Sequence, residues 1–107
     1  MAQIPVFTFI FAPEVANHLQ AIDKKYRSLI RETIAQQLSY TPLNLTRNRK
    51  PLEQPAPFGA TWELRCGPNN RFRVFYEVDT IEQMVLILAI GIKDREQLII
   101  GGEEIEL

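Results

Sequence analysis

Two short strings, Trp62-Glu63-Leu64-Arg65 and Arg71-Phe72-Arg73-Val74-Phe75, hold the residues best suited to chemistry. Both alternate charged with apolar residues, the period of a β-strand whose side chains point to opposite faces in turn. Trp62, Leu64 and Cys66 fall on one face with Phe72, Val74 and Tyr76. Glu63, Arg65, Arg71, Arg73 and Phe75 fall on the other. Gly67-Pro68-Asn69-Asn70 between them is a turn cluster, so the two strands form a hairpin and their outward residues merge into one surface. Arginine neutralises phosphate and stabilises charge developing on a phosphate oxygen, and an aromatic ring stacks on a base. The chemistry to expect is therefore capture of a nucleic-acid backbone. An exposed hairpin face with ordinary cross-strand Glu–Arg pairs is the competing reading. Lys93 lies just past the last long apolar run, and the loop Arg47-Asn48-Arg49-Lys50 can fold over the rim of the same face.

Other chemistry-bearing residues are sparse. His18 is the only histidine and sits beside Leu19 at the edge of an apolar helical stripe, where a structural role is expected. Cys66 is the only cysteine, which excludes an intramolecular disulfide, and its alternation with Trp62 and Leu64 makes it a small core residue. No Cys/His grouping has zinc-ligand spacing, and no P-loop or dinucleotide-binding glycine pattern occurs. No cofactor or metal is expected. Glu103, Glu104 and Glu106 read as a solvated end after a Gly101-Gly102 turn.

The elements that position these residues follow from periodicity. Ile4–Phe11 is rich in β-branched and aromatic residues and reads as a strand. Pro13 and Glu14 suit a helix start. Val15, Leu19, Ile22, Tyr26, Leu29 or Ile30, Ile34 and Leu38 then recur at helical spacing. Asp23 is placed to cap a second helix, so one long helix or an antiparallel pair is expected, with Lys24, Lys25, Arg27, Arg31 and Glu32 solvated. Thr41-Pro42 ends the helix. Residues 42–60 carry four prolines and form a long irregular connection. After the hairpin, Met84–Ile90 is continuously apolar and suits a central strand buried on both faces, ended by Gly91. Leu98–Ile100 is a short extra strand. One strand, one or two helices and an antiparallel meander with the helices on one face make an α+β fold, expected to be one domain over residues 1–107.

Composition narrows the class. Hydrophobic residues make up 46% of the 107 and charged ones 23%, proportions of an ordinary globular domain. No apolar run is long enough to span a bilayer, and the first residues lack the basic region and cleavage site of a signal peptide. A cytoplasmic protein with no membrane partner is the expectation. The formal net charge of −1 hides a polarity. Residues 44–76 hold six basic and two acidic side chains, whereas residues 77–107 hold two basic and eight acidic ones. A basic middle beside an acidic end points to a polyanion site on one face.

The order Arg49-Lys50-Pro51-Leu52, Gly59-Ala60-Thr61-Trp62-Glu63-Leu64-Arg65, Phe72-Arg73-Val74-Phe75-Tyr76-Glu77-Val78 and Leu88-Ala89-Ile90-Gly91-Ile92-Lys93 resembles the RelE/ParE toxin superfamily. The resemblance covers nearly the whole chain and implies the toxin of a type II toxin–antitoxin system, partnered by a cognate antitoxin. RelE-like members cut mRNA on the ribosome without a metal: the messenger's own 2′-hydroxyl attacks the adjacent phosphate, and translation stops. On that basis Arg65, Arg73 and Lys93 stand at the positions of the family's catalytic basic residues. Glu63 is a candidate proton acceptor, while Arg47, Arg49, Lys50, Arg71 and Phe75 are expected RNA contacts. The chain departs from RelE proper at Glu63, which replaces a basic residue, and at Ile99, which replaces a tyrosine. The HigB-like branch matches at least as well. The alternatives are a non-enzymatic, ParE-like inhibitor of DNA gyrase and a non-toxic binding module.

Overall fold

A computed structural model of the chain describes residues 6–105. Seven strands and two helices follow in the order β1 (Thr8–Phe11), α1 (Val15–Gln20), α2 (Lys24–Leu38), β2 (Arg49–Pro51), β3 (Trp62–Cys66), β4 (Phe72–Asp79), β5 (Met84–Asp94), β6 (Gln97–Ile100) and β7 (Glu103–Ile105). The sheet runs β2-β3-β4-β5-β6-β7 with antiparallel neighbours, and β1 joins β5 in parallel. The α+β architecture is the one expected. Ile4 and Pro5, assigned to the first strand from sequence, lie outside the described residues.

The helical stripe is divided at Asp23, which leaves helical geometry and accepts a hydrogen bond from Lys25 N at 3.2 Å. Val15, Leu19, Ile22, Ile30, Ile34 and Leu38 are buried, whereas Leu29 faces out. They pack on the sheet face carrying Leu64, Cys66, Phe72, Val74, Tyr76, Val85, Ile87 and Ile90. The parity drawn from the hairpin sequence is therefore correct on this side. Arg27 corrects an expectation: it is not a solvated charge. Its guanidinium donates to the carbonyls of Leu19 (2.8 Å), Ile22 (3.1 Å) and Gln20 (3.2 Å), closing the end of α1 where carbonyls lack helical partners.

Three further departures reshape the sheet. Residues 42–60 are not wholly irregular, because Arg49–Pro51 pairs with Trp62–Leu64 as an edge strand. Gly91 does not end β5, which continues to Asp94. A Cβ at Gly91 would lie 2.7 Å from Ile100 Cγ1 and 2.9 Å from Ile99 O, so glycine is what lets β6 close on β5. Glu103 and Glu104 are exposed, as expected, but they belong to a strand: Glu103–Ile105 adds β7 to the sheet edge, and Glu106 lies outside the described residues.

The second sheet face also has a core, made of Ala60, Phe75, Ala89, Leu98 and Ile100 with Leu52, Leu88 and Ile105 against it. A bulge helps to build it. Phe75 pairs with Ala89 and Tyr76 with Ile87, so Leu88 is the extra residue and β5 changes face there.

β1 covers Met84–Ile87 along one edge of β5, and β6 covers Gly91–Asp94 farther along the same edge. In the gap, His18 Nδ1 accepts the Ile90 N–H at 3.2 Å. The ring is buried, and burial lowers its pKa against the raising influence of Glu14. Only an imidazole unprotonated at Nδ1 accepts this bond. Because the folded pKa lies below 6.5, the ring's contribution to stability is complete above 6.5 and is lost as pH falls through the folded value. Urea midpoints are expected to drop on acidification below pH 6.5. His18→Gln, which keeps an acceptor without the titration, should flatten that slope.

Candidate functional site

The site grows from the cross-strand register. Arg65 on β3 stands directly opposite Arg73 on β4, and Lys50 on β2 directly opposite Glu63 on β3. Facing arginines repel, and the sheet answers with a carboxylate. Arg73 Nη1 donates to Glu63 Oε1 at 3.0 Å, while Arg65 Nε and Lys50 Nζ each lie 3.8 Å from Glu63 Oε2. Glu63 is buried, with 6% of its surface exposed. On the other side Arg73 faces Gly91, which offers no side chain and leaves the guanidinium room.

These groups enclose a cleft of about 330 Å³. Its floor is Phe75 and Leu98; its walls are Lys50, Glu63, Arg65, Arg73 and Lys93, with Leu52 and Pro57 from the preceding loop. Lys93 Nζ donates to Glu96 O at 3.3 Å, and Lys93 N donates to Arg71 O at 2.7 Å, which fastens the end of β5 to the start of β4. Arg65 Nε is buried and makes no hydrogen bond, since 3.8 Å is beyond bonding range. Arg65 thus brings to the cleft wall a donor without a hydrogen-bond partner, and such a charged donor forms a strong bond with an oxyanion once side chains shift to admit one.

Of the sequence-derived candidates, the cleft gathers Lys50, Glu63, Arg65, Arg73 and Lys93. Arg71 is exposed at the end of the sheet, and Arg47 is exposed in the turn before β2 and lines no wall of this cleft. Two RNA-contact assignments are corrected. Phe75 faces the cleft side but only 3% of it is exposed, because the second core covers its ring, so it supplies a floor and not a stacking platform. Arg49 pairs with Leu64, and its parity sends it to the helix side. There it is 6% exposed and donates to Gln37 O at 2.9 Å, Thr41 O and Thr46 Oγ1.

The remaining protic groups are withdrawn. Burial pushes the Cys66 thiol up to about 11, against the opposing pull of Arg73, so it stays protonated at neutral pH. Tyr76 is buried, donates to Pro42 O at 2.7 Å, and has its pKa raised by burial, with Arg49 pulling the other way. The arrangement can bind an oxyanion and stabilise charge on it. Glu63 is the only carboxylate lining the cleft among the described residues.

The fold and the cleft define a small α+β protein that presents a cation-lined depression on its sheet. A family model for the ParE toxin of type II toxin–antitoxin systems matches residues 9–97, and the chain belongs to that family. The crystal structure of the toxin–antitoxin complex RelBE2 from Mycobacterium tuberculosis shares the fold. The TM-score is 0.67 at 22% identity, covering 87% of this chain and 98% of that one. No curated protein matches the sequence. Membership of the RelE/ParE superfamily, read from the motif order, is thus borne out.

Proposed function

We propose that this toxin holds RNA in the sheet cleft and arrests translation by cutting messenger RNA on the ribosome. The observation that carries this is the convergence of Lys50, Arg65, Arg73 and Lys93 on one small cleft in which Arg65 Nε has no partner. In the reaction, the 2′-oxygen of a ribose forms a bond to the adjacent phosphorus and the bond to the 5′-oxygen breaks, leaving a cyclic phosphate. The hydroxyl proton departs, and the leaving oxygen takes one up. Negative charge spreads over the phosphoryl oxygens in between, and fixed guanidinium donors in a partly dry cleft stabilise it. A cognate antitoxin is the protein partner, a view supported by the family match and by RelBE2 being a toxin–antitoxin complex.

Glu63 fits a positioning role better than proton transfer, because cations surround both of its oxygens. Removing its charge frees Arg65 and Arg73 for phosphate. Glu63→Gln is therefore expected to tighten binding of a short oligoribonucleotide several-fold while cleavage stays within about tenfold of wild type. A fall of about 10²-fold or more would assign proton transfer to Glu63.

The same engagement of Glu63, with Cys66 and Tyr76 buried, favours a second reading that needs no proton acceptor: ParE-like inhibition of DNA gyrase without catalysis. Inducing the chain alone in bacteria and mapping messenger ends by primer extension separates the two. New internal 5′ ends with growth arrest support RNA cleavage. Growth arrest with intact messenger and a DNA-damage response supports the gyrase reading. Normal growth removes both.

A further inference from the structure

Arg73 and Lys93 line more than one cleft. They also form the near wall of a larger depression, about 510 Å³, at the end of the sheet where β4 begins and β5 finishes. Its far side is built by Arg71 and Arg95, with Asn69 and Asn70 from the β3–β4 turn. Tyr26 reaches it from the first turn of α2, packed on Phe72 at 5.1 Å between ring centroids. Lys24 and Lys25 therefore start α2 at the same end. The one acid lining this cleft is Asp94. Acidic side chains gather at the opposite end of the hairpin, where Glu77, Asp79 and Glu82 surround the β4–β5 turn.

The two clefts differ in how their charge is held. Every ion pair among the described residues goes to Glu63, inside the first cleft. Arg71 and Arg95 are exposed and pair with no carboxylate among those residues. Each cleft is lined by four basic residues and one acidic residue, but at the sheet end the guanidinium groups of Arg71 and Arg95 are not held in ion pairs among the described residues and stand open to an anion.

We propose that the sheet end is a second docking subsite for the phosphodiester backbone of the same RNA strand. A strand seated at Arg73 continues over Arg71 and Arg95. The inference rests on the RNA reading given above and extends it to Arg95, to which sequence parity assigned no role. Continuity favours an RNA backbone over an acidic protein segment, because both clefts share Arg73 and Lys93. Guanidinium forks match phosphate oxygens, and asparagine amides suit phosphate and sugar contacts. Such contacts read no sequence and are strongly salt-dependent.

The test is fluorescence anisotropy with labelled oligouridylates, a dinucleotide and a decanucleotide, on the full chain and on the Arg71→Ala/Arg95→Ala variant. Both residues are exposed, and an unchanged melting curve checks the fold of the variant. The wild type's gain in affinity from dinucleotide to decanucleotide is expected to shrink roughly tenfold in the variant. The slope of log affinity against log salt should fall by about 1.4, which is ~0.7 for each lost contact to a single strand. A gain and slope retained in the variant overturn the second subsite while leaving the RNA reading standing. A wild type that binds neither oligonucleotide overturns both. Loss of affinity for an oligoglutamate peptide, with the RNA gain intact, also overturns the proposal and assigns this end to an acidic protein partner.

Discussion

Arg73→Ala is expected to abolish growth arrest when the chain is induced, and to lower messenger cleavage by about 10²–10³-fold, the usual loss when one charge-stabilising donor is removed. Arg73 ties the buried carboxylate, the β3–β4 turn and both clefts together. Arg73 Nη1 meets Glu63 Oε1 at 3.0 Å, its Nε donates to Asn70 O at 3.1 Å, and the side chain walls both clefts. Its removal takes out one of the four positive charges lining each cleft. It also leaves Glu63 with Lys50 and Arg65, both at 3.8 Å. The carboxylate is then free to recruit Arg65, the very donor an RNA phosphate would use.

The fold should survive the change. The lost bonds are worth about 1–3 kcal/mol, less than a typical domain's stability. A urea melt of the purified variant separates loss of function from loss of fold. Arg73→Lys sharpens the result. Lysine restores the charge but not the planar fork, so it should rescue binding more than cleavage. Toxicity that persists in a folded Arg73→Ala protein would sink the sheet-cleft mechanism.

Strict alternation is why so much of this region was legible in the sequence. Trp62, Leu64 and Cys66 against Glu63 and Arg65, and Phe72, Val74 and Tyr76 against Arg73, fix the faces of two paired strands without any structure. The helix break at Asp23 was legible for a similar reason, since an aspartate at a lapse in apolar spacing caps its own backbone. What stayed hidden depended on partners distant in sequence. Phe75 looks exposed by parity, and only the approach of Ala60, Leu98 and Ile100 buries it. The bulge at Leu88 has no local signature, because every residue around it is apolar. Gly91 reads as a strand end from one side of the sheet and as a contact point only when β6 is in place. Arg95 carried no signal because no periodicity links a turn residue to Arg71 across the sheet.

The Arg47–Lys50 run shows the same limit at a single residue and yields the second large effect. Read as a loop it has no parity, and its three basic residues look equivalent. As an edge strand it splits them: Lys50 follows Glu63 into the cleft, while Arg49 follows Leu64 to the helix side. Arg49 there closes the carboxyl end of α2, donating to Gln37 O, from the last turn, and to Thr41 O just beyond. A cation at that end meets the negative pole of the helix and the carbonyls that have no helical partner. Arg49→Ala orphans those partly buried oxygens and detaches β2 from α2. The expected cost is about 2–4 kcal/mol, seen as a lower urea midpoint. Arg49→Lys should recover part of this, since an ammonium reaches one carbonyl but not several at once. RNA affinity, corrected for the folded fraction, should remain near that of wild type. A stable Arg49→Ala protein with weakened RNA binding would return Arg49 to the interface and place β2 wrongly in the fold.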